Sequence, residues 1–172
     1  GEYGETEIKA MVAACLENSA WSAKSGKMVR NSRPTGRRDQ AIVVVLVETG
    51  IRASELCDLE MRDYDQKKGQ LHIRHGKGDK SRFVPLPKQL VEPLRRLVEQ
   101  RRRLHERDVA NGEASVWLPH ALDRKYPSAH AEFKWQFLFA SARFSRDPKT
   151  GKRHRHHLHS DTFPVHLKTA VN

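Results

Sequence analysis

Ala41-Ile-Val-Val-Val-Leu-Val47, followed by Glu48-Thr-Gly-Ile-Arg-Ala-Ser-Glu-Leu56, is the stretch on which the fold turns. Taken alone, its first seven residues admit two readings. Their β-branched side chains suit a buried strand. Their flanks suit a helix, with Asp39 near the start and Thr49-Gly50 as a C-terminal stop. Periodicity does not separate the two. After Gly50 the pattern is plainer. Ala53 to Leu59 predicts a short helix with Leu56 and Leu59 facing inward.

Upstream, Thr6 to Leu16 predicts a helix capped by Thr6, with Ile8, Met11, Val12, Cys15 and Leu16 at helical spacing. Ser22 to Arg38 is basic and carries Gly, Ser and Pro, so it reads as a loop. Downstream, Gln70 to His75 and Arg82 to Leu86 alternate polar and apolar around Gly76-Lys-Gly-Asp-Lys-Ser81, which predicts a β-hairpin. Leu90, Val91, Leu94, Leu97, Val98 and Leu104 predict a long amphipathic helix ended by Asn111-Gly112. Pro93 is expected in its first turn. Its outer face is expected to carry Arg95, Arg96, Arg101, Arg102, Arg103 and Arg107. Beyond Val116 the order is looser: an aromatic stretch from Phe133 to Phe139, a basic His-rich loop, and a helix start from Asp161 to Val171. No internal repeat is visible.

Composition narrows the function. The chain has 172 residues, 37% of them hydrophobic, enough for one modest core. Its longest apolar run, Ala41 to Val47, falls far short of the roughly 20 residues of a spanning helix. No leading basic-then-apolar segment suggests a signal peptide, so no membrane partner and a cytoplasmic location are expected. Cys15 and Cys57 are the only cysteines, too few for a disulfide scaffold or a four-cysteine zinc site. Lys+Arg number 32 against 21 Asp+Glu, a net charge of +11. A basic excess of that size fits a nucleic-acid surface, because cationic side chains displace condensed counterions from phosphates. Charge alone also fits ribosomal and membrane-surface proteins.

Two motifs sharpen this. Thr49-Gly-Ile-Arg-Ala-Ser-Glu-Leu56, with Leu59 and Asp63 behind it, resembles the first arginine box of the tyrosine recombinases, the phage integrase family. Gly76-Lys-Gly-Asp-Lys-Ser-Arg82, with Val84-Pro-Leu86, resembles that family's β-hairpin with its catalytic lysine. The resemblance implies that Asp39 to Glu48 is a helix. It also implies phosphoryl transfer on DNA, in which a tyrosine attacks a backbone phosphate to give a 3′-phosphotyrosine and a free 5′-hydroxyl. Arg52 is then expected to grip the scissile phosphate, since a guanidinium donates two parallel hydrogen bonds to phosphate oxygens. Lys77 is expected to protonate the leaving 5′-oxygen, with Gly76 and Gly78 allowing close approach to DNA. Lys80 and Arg82 are weaker candidates, for phosphate contacts or simple solvation. Glu55 is expected to hold the arginine helix. Without the neighbouring motifs, Arg52 reads as an ordinary surface arginine and Lys77 as a solvated turn lysine.

A narrower resemblance begins near Pro85. Leu104-His-Glu-Arg-Asp108, Val116-Trp-Leu-Pro119, Arg124-Lys-Tyr-Pro127, Trp135-Gln-Phe137, Asp147-Pro148 and Arg155-His-His157 run in the order seen in integron integrases. That branch carries an insertion that recognises extrahelical bases of folded single-stranded hairpin sites. Trp135, Pro148, His156 and His157 are the candidate base contacts, because rings give stacking platforms and imidazoles add hydrogen bonds. Trp135 also reads as plain core, and His154-Arg-His-His-Leu-His159 as a solvated basic loop or a metal-binding run. Phe139-Ala140 departs from the Phe-Pro usual in the branch.

The resemblance also implies a His-x-x-Arg box and a nucleophilic tyrosine, which no residue here matches. Tyr3, Tyr64 and Tyr126 are not assigned that role. The expected fold is mainly α with a small antiparallel β-sheet (α+β), a tyrosine recombinase catalytic-domain fold cut short at its C-terminal side. Residues 1–172 form one partial catalytic domain: 38–92 carry the arginine box and lysine hairpin, 93–172 the long helix and the insertion. No cofactor and no metal are expected. DNA, as duplex and as folded hairpin, is the expected partner, and self-association is expected through apolar surface around Leu46 and Leu56. A non-catalytic DNA-binding module that competes for recombination sites is the second reading.

Overall fold

In the computed structural model, the run from Ala41 to Val47 lies inside a helix, α2, spanning Gly36–Thr49. Ala41, Ile42, Val43 and Val45 are all buried, which a one-sided helix does not allow. Val43 packs with Met11 and Cys15 of α1 (Glu5–Ala14), while Ala41, Ile42 and Val45 belong to the main core. Burial from two sides overrides strand propensity and makes the run nearly continuously apolar. Gly50 caps α2 in the left-handed conformation (φ 62°), returning its N–H to the Leu46 carbonyl.

The structure describes residues 4–118, 120–147, 151 and 153–160, which excludes Pro148 and the helix start expected from Asp161 to Val171. Its further elements are β1 (Glu17–Ser22), β2 (Lys27–Ser32), α3 (Ala53–Cys57), β3 (Tyr64–Asp65), β4 (Gln70–Ile73), β5 (Arg82–Pro85), α4 (Lys88–Ala110), α5 (His120–Lys125), β6 (Ser145–Arg146) and β7 (Arg153–His154). Strands β3, β4 and β5 form one antiparallel sheet in that order, with Leu71 opposite Val84 and Ile73 opposite Arg82. The architecture is α+β with small antiparallel sheets, as expected. Among the described residues no helix is long and apolar enough to cross a membrane.

Five expectations need correction, the first being the cap of α1, which is Gly4 and not Thr6. The segment from Ser22 to Arg38 is not one loop: β1 and β2 pair as a hairpin, and α2 begins at Gly36. Strand β2 is almost wholly exposed, so no alternation of burial marks it in the sequence. Pro93 lies in the second turn of α4, because the helix starts at Lys88 behind Pro87, and Pro93 leaves the Gln89 carbonyl without its helical donor. Arg101 is not on the outer face. It falls in the buried stripe of Leu90, Leu94, Leu97, His105 and Asp108, whose spacing of three and four residues keeps one face of α4 inward. Leu56 is fully buried and Leu46 partly so. The apolar surface at this end of α2 is therefore Val47, 46% exposed, rather than Leu56.

The main core gathers α2, α3, β4 and the first half of α4 with Leu138, Phe139 and Leu158. A smaller cluster of Val116, Leu118, Ala129 and Trp135 forms the heart of the 116–135 region.

Candidate active site

Arg52 is the N-cap of α3, one helix cap beyond the end of α2. Its side chain is 56% exposed. Glu55, three residues on, is buried and sits at the centre of the site. It accepts from the Arg52 backbone N–H (3.0 Å) and from Arg52 Nη1 (3.2 Å). It also accepts both terminal nitrogens of Arg82 on β5, at 2.9 and 2.7 Å. One carboxylate thus ties the arginine box to the hairpin, 27 residues away. Arg82 first and Arg52 second hold its pKa down, at about 2 against an ordinary 4.5. The structural role expected of Glu55 is what the geometry shows. Arg82, a candidate for phosphate contacts or simple solvation, pairs with Glu55 while its side chain stays 40% exposed.

The hairpin tip rests on this pair. Gly76 donates to the Lys80 carbonyl (3.1 Å), and Asp79 to the Gly76 carbonyl (3.0 Å). A Cβ on Gly76 would stand 2.7 Å from Arg82 Nη1 and 2.7 Å from the Lys80 carbonyl oxygen. The glycine is therefore dictated by close packing within the protein, a different reason from close approach to DNA. Gly78 and Asp79 follow with φ of 71° and 57°, so the tip turns through two left-handed residues. Lys77 opens this turn, spanning Lys77–Asp79. Lys80 is exposed, with no side-chain partner among the described residues.

A second network was not anticipated from sequence. Arg74, just after β4, pairs with buried Asp63 (2.9 Å) and with Glu60 (3.1 Å), and Glu60 also holds Arg62 (2.6 Å). The Arg62 guanidinium lies 3.7 Å over the Trp135 ring. Trp135 is 8% exposed and belongs to the small core cluster, with its indole N–H buried and unbonded. Arg62 thus covers one face of the indole. The only advance signal was the alternation of opposite charges at 60, 62, 63 and 74, which does not name their partners.

The His-rich loop is anchored, not free. Arg155 is 5% exposed and makes a bidentate pair with Asp108 of α4 (2.8 and 3.0 Å). Its remaining nitrogen donates to the Ala142 carbonyl (2.8 Å), and its guanidinium lies 4.1 Å over Phe144. His154 is buried, while His156 and His157 are half-buried and meet edge-on at 6.4 Å. His157 Nδ1 lies 2.6 Å from the Leu158 carbonyl, and its ring packs edge-on against Phe137. Among the described residues no three His, Cys, Asp or Glu side chains converge on a point that holds a metal ion.

Acid is expected to loosen this region. Burial pushes the His105 and His156 pKa values below the ordinary 6.5, with nearby Arg101 adding to the effect at His105 and His154 at His156. Each folded pKa is depressed, so the stability from keeping these rings neutral is complete above 6.5 and is lost as pH falls below it. Thermal melts from pH 7.5 to 5.5 should show a falling Tm. The double variant His105→Gln, His156→Gln should flatten that slope.

Comparison with known proteins gives these motifs a setting. Residues 5–172 match the Phage integrase family. An integrase/recombinase of Escherichia coli is 39% identical over 127 residues, 74% of this chain and 38% of that protein. The tyrosine recombinase XerA of Thermococcus kodakarensis is 46% identical over 68 residues, 40% of this chain and 24% of that protein. Among solved structures, a XerA recombinase has the same fold over 99% of this chain and 41% of its own, with a TM-score of 0.56 at 21% identity. The chain spans about two-fifths of the length of the integrase/recombinase it matches. With an arginine box and a lysine hairpin locked together by Glu55, and a family match running from residue 5 to 172, the chain belongs to the phage integrase family of tyrosine recombinases.

Proposed function

We propose that this chain supplies the phosphate-gripping part of a site-specific DNA recombinase of the integron type. The carrying observation is the Glu55 hub. It fixes the backbone and guanidinium of Arg52 beside the hairpin that bears Lys77, so both candidates belong to one preorganised unit. In the reaction, a tyrosine oxygen bonds to phosphorus while the bond from phosphorus to the 5′-oxygen breaks. Arg52 neutralises charge on the non-bridging oxygens, and Lys77 gives its proton to the leaving 5′-oxygen. The nucleophile is not Tyr64, whose hydroxyl is buried.

The integron-type reading is supported by the separate small core that the 116–135 region builds around Trp135. Its candidate base contacts are Trp135, Pro148, His156 and His157, with folded hairpin DNA as the partner. Arg62 is then the group that yields when a base reaches the indole.

A nicked suicide duplex tests the reading. The chain should shift the duplex in a native gel and leave no protein–DNA adduct under denaturing conditions. An adduct would show that one of its own tyrosines is the nucleophile. Failure to shift any DNA would overturn the recombinase reading.

A further inference from the structure

At the other end of α2 lies a second basic feature that the Arg52 site does not use. Arg33, Pro34, Thr35 and Arg37, at the start of α2, face the exposed side of α4 across a groove of about 1240 Å³. Arg96, Arg103 and Arg107 line the α4 wall, and Arg155 reaches the groove from its buried position. In all, seven arginines and two glutamates line it, an excess of five positive charges. A smaller depression of about 400 Å³ shares Leu16, Arg37 and Arg96 with it and extends it towards Pro93. The 14 residues of α2 put about 21 Å between this groove and the Arg52 end of the helix.

Most of these guanidiniums are already matched. Arg33 pairs with Asp39, Arg96 with Glu92, Arg103 with Glu99 and Arg155 with Asp108. Arg37 and Arg107 are exposed and have no ion-pair partner among the described residues. They stand on opposite walls, so a polyanion in the groove meets an unmatched charge from each side. From Arg96 to Arg107 the α4 wall runs about 16 Å, long enough to follow several consecutive phosphates. Among the described residues no aromatic side chain lines the groove, which makes it a grip on phosphates rather than a platform for bases. It also lacks the aromatic anchor pocket that a protein partner would favour.

We propose that this groove holds the sugar–phosphate backbone of a single nucleic-acid strand, independently of base sequence. A flexible strand enters a groove deep enough to reach buried Arg155, whereas a duplex presents a broad convex surface to its rim. The proposal deepens the DNA reading given above and rests on it.

The test is fluorescence anisotropy with the whole chain and three probes: a labelled 20-nucleotide oligo-dT, a 20-base-pair duplex, and an acidic poly-glutamate peptide. Arg37→Ala with Arg107→Ala should weaken oligo-dT binding at least about tenfold at 0.1 M salt. Loss of two contacts should flatten the slope of log K against log salt by about 1.4. Arg37→Lys with Arg107→Lys should keep most of the affinity, and unchanged melts should show that both variants fold. Lys24→Ala, a change of charge on the exposed β1–β2 turn outside the groove lining, should leave the oligo-dT slope in place. If the alanine pair leaves oligo-dT binding unchanged while wild-type protein binds duplex, the groove proposal fails and the recombinase reading stands. A loss confined to the duplex, or to the acidic peptide, also overturns it. If wild-type protein binds neither DNA, both readings fail.

Discussion

Asp108→Ala is expected to destabilise the protein by about 3–5 kcal/mol, the cost of stranding a buried charge. Arg155, with a side chain 6% exposed, would keep its two carbonyl contacts and lose both charge-assisted bonds. Its neighbour worsens the position. Arg101 is buried with Nη1 unbonded, and burial together with the Arg155 charge already lowers its pKa to about 10. Asp108 is one of the few groups that offset this accumulation. Domains of this size are stable by roughly 5–15 kcal/mol, so the loss takes a large share of the total. Urea unfolding followed by far-UV circular dichroism measures it. The double variant Asp108→Leu, Arg155→Met should cost less than Asp108→Ala, since it removes both buried charges instead of stranding one. A shift below about 1 kcal/mol for Asp108→Ala would mean that the pair does not hold the loop to α4.

Glu55→Gln is expected to cost about 2–3 kcal/mol and to free the hairpin from the arginine box. Four hydrogen bonds converge on this carboxylate, and an amide reproduces only part of them because its nitrogen cannot accept. The readout specific to this role is hydrogen exchange. The amides of Gly76 and Asp79, which close the tip, should lose protection more than those of α4. The pH profile adds a second check. Glu55 has a folded pKa of about 2 against an ordinary 4.5, so its contribution is complete above 4.5 and is lost as pH falls towards 2. In that window wild-type protein should lose stability faster than the Gln variant.

The elements governed by local rules were legible in the sequence. Gly50 stops α2, Gly76 to Ser81 turns the hairpin, and Leu90, Leu94 and Leu97 set the face of α4. Arg52 and Glu55 could be paired in advance, because a side chain three residues beyond a helix cap reaches back to the cap N–H. What stayed hidden depends on distant partners. Arg82 looks like any hairpin arginine until Glu55 is placed beside it. Arg101 reads by its charge as an outer-face residue, although its spacing from Leu94 and Leu97 puts it in the buried stripe. Trp135 could be read as core or as a stacking platform, and only the position of Arg62 over its ring shows what occupies that face. Hairpin β1–β2 leaves no such mark, because exposed strand β2 needs no apolar alternation.

Arg52, held by Glu55, is proposed to meet a backbone phosphate. Duplex affinity in a double-substitution cycle tests it most directly. Arg52→Ala and Arg52→Lys should both weaken binding, since a lysine cannot reproduce two parallel donors, while Lys24→Ala, a change of charge on an exposed turn, should have a much smaller effect. Glu55→Gln should weaken it too, and combined with Arg52→Ala should add little further loss. If Arg52→Ala binds duplex DNA as tightly as the wild-type chain, or if the two losses simply add, Glu55 does not present Arg52 to phosphate and the account is wrong.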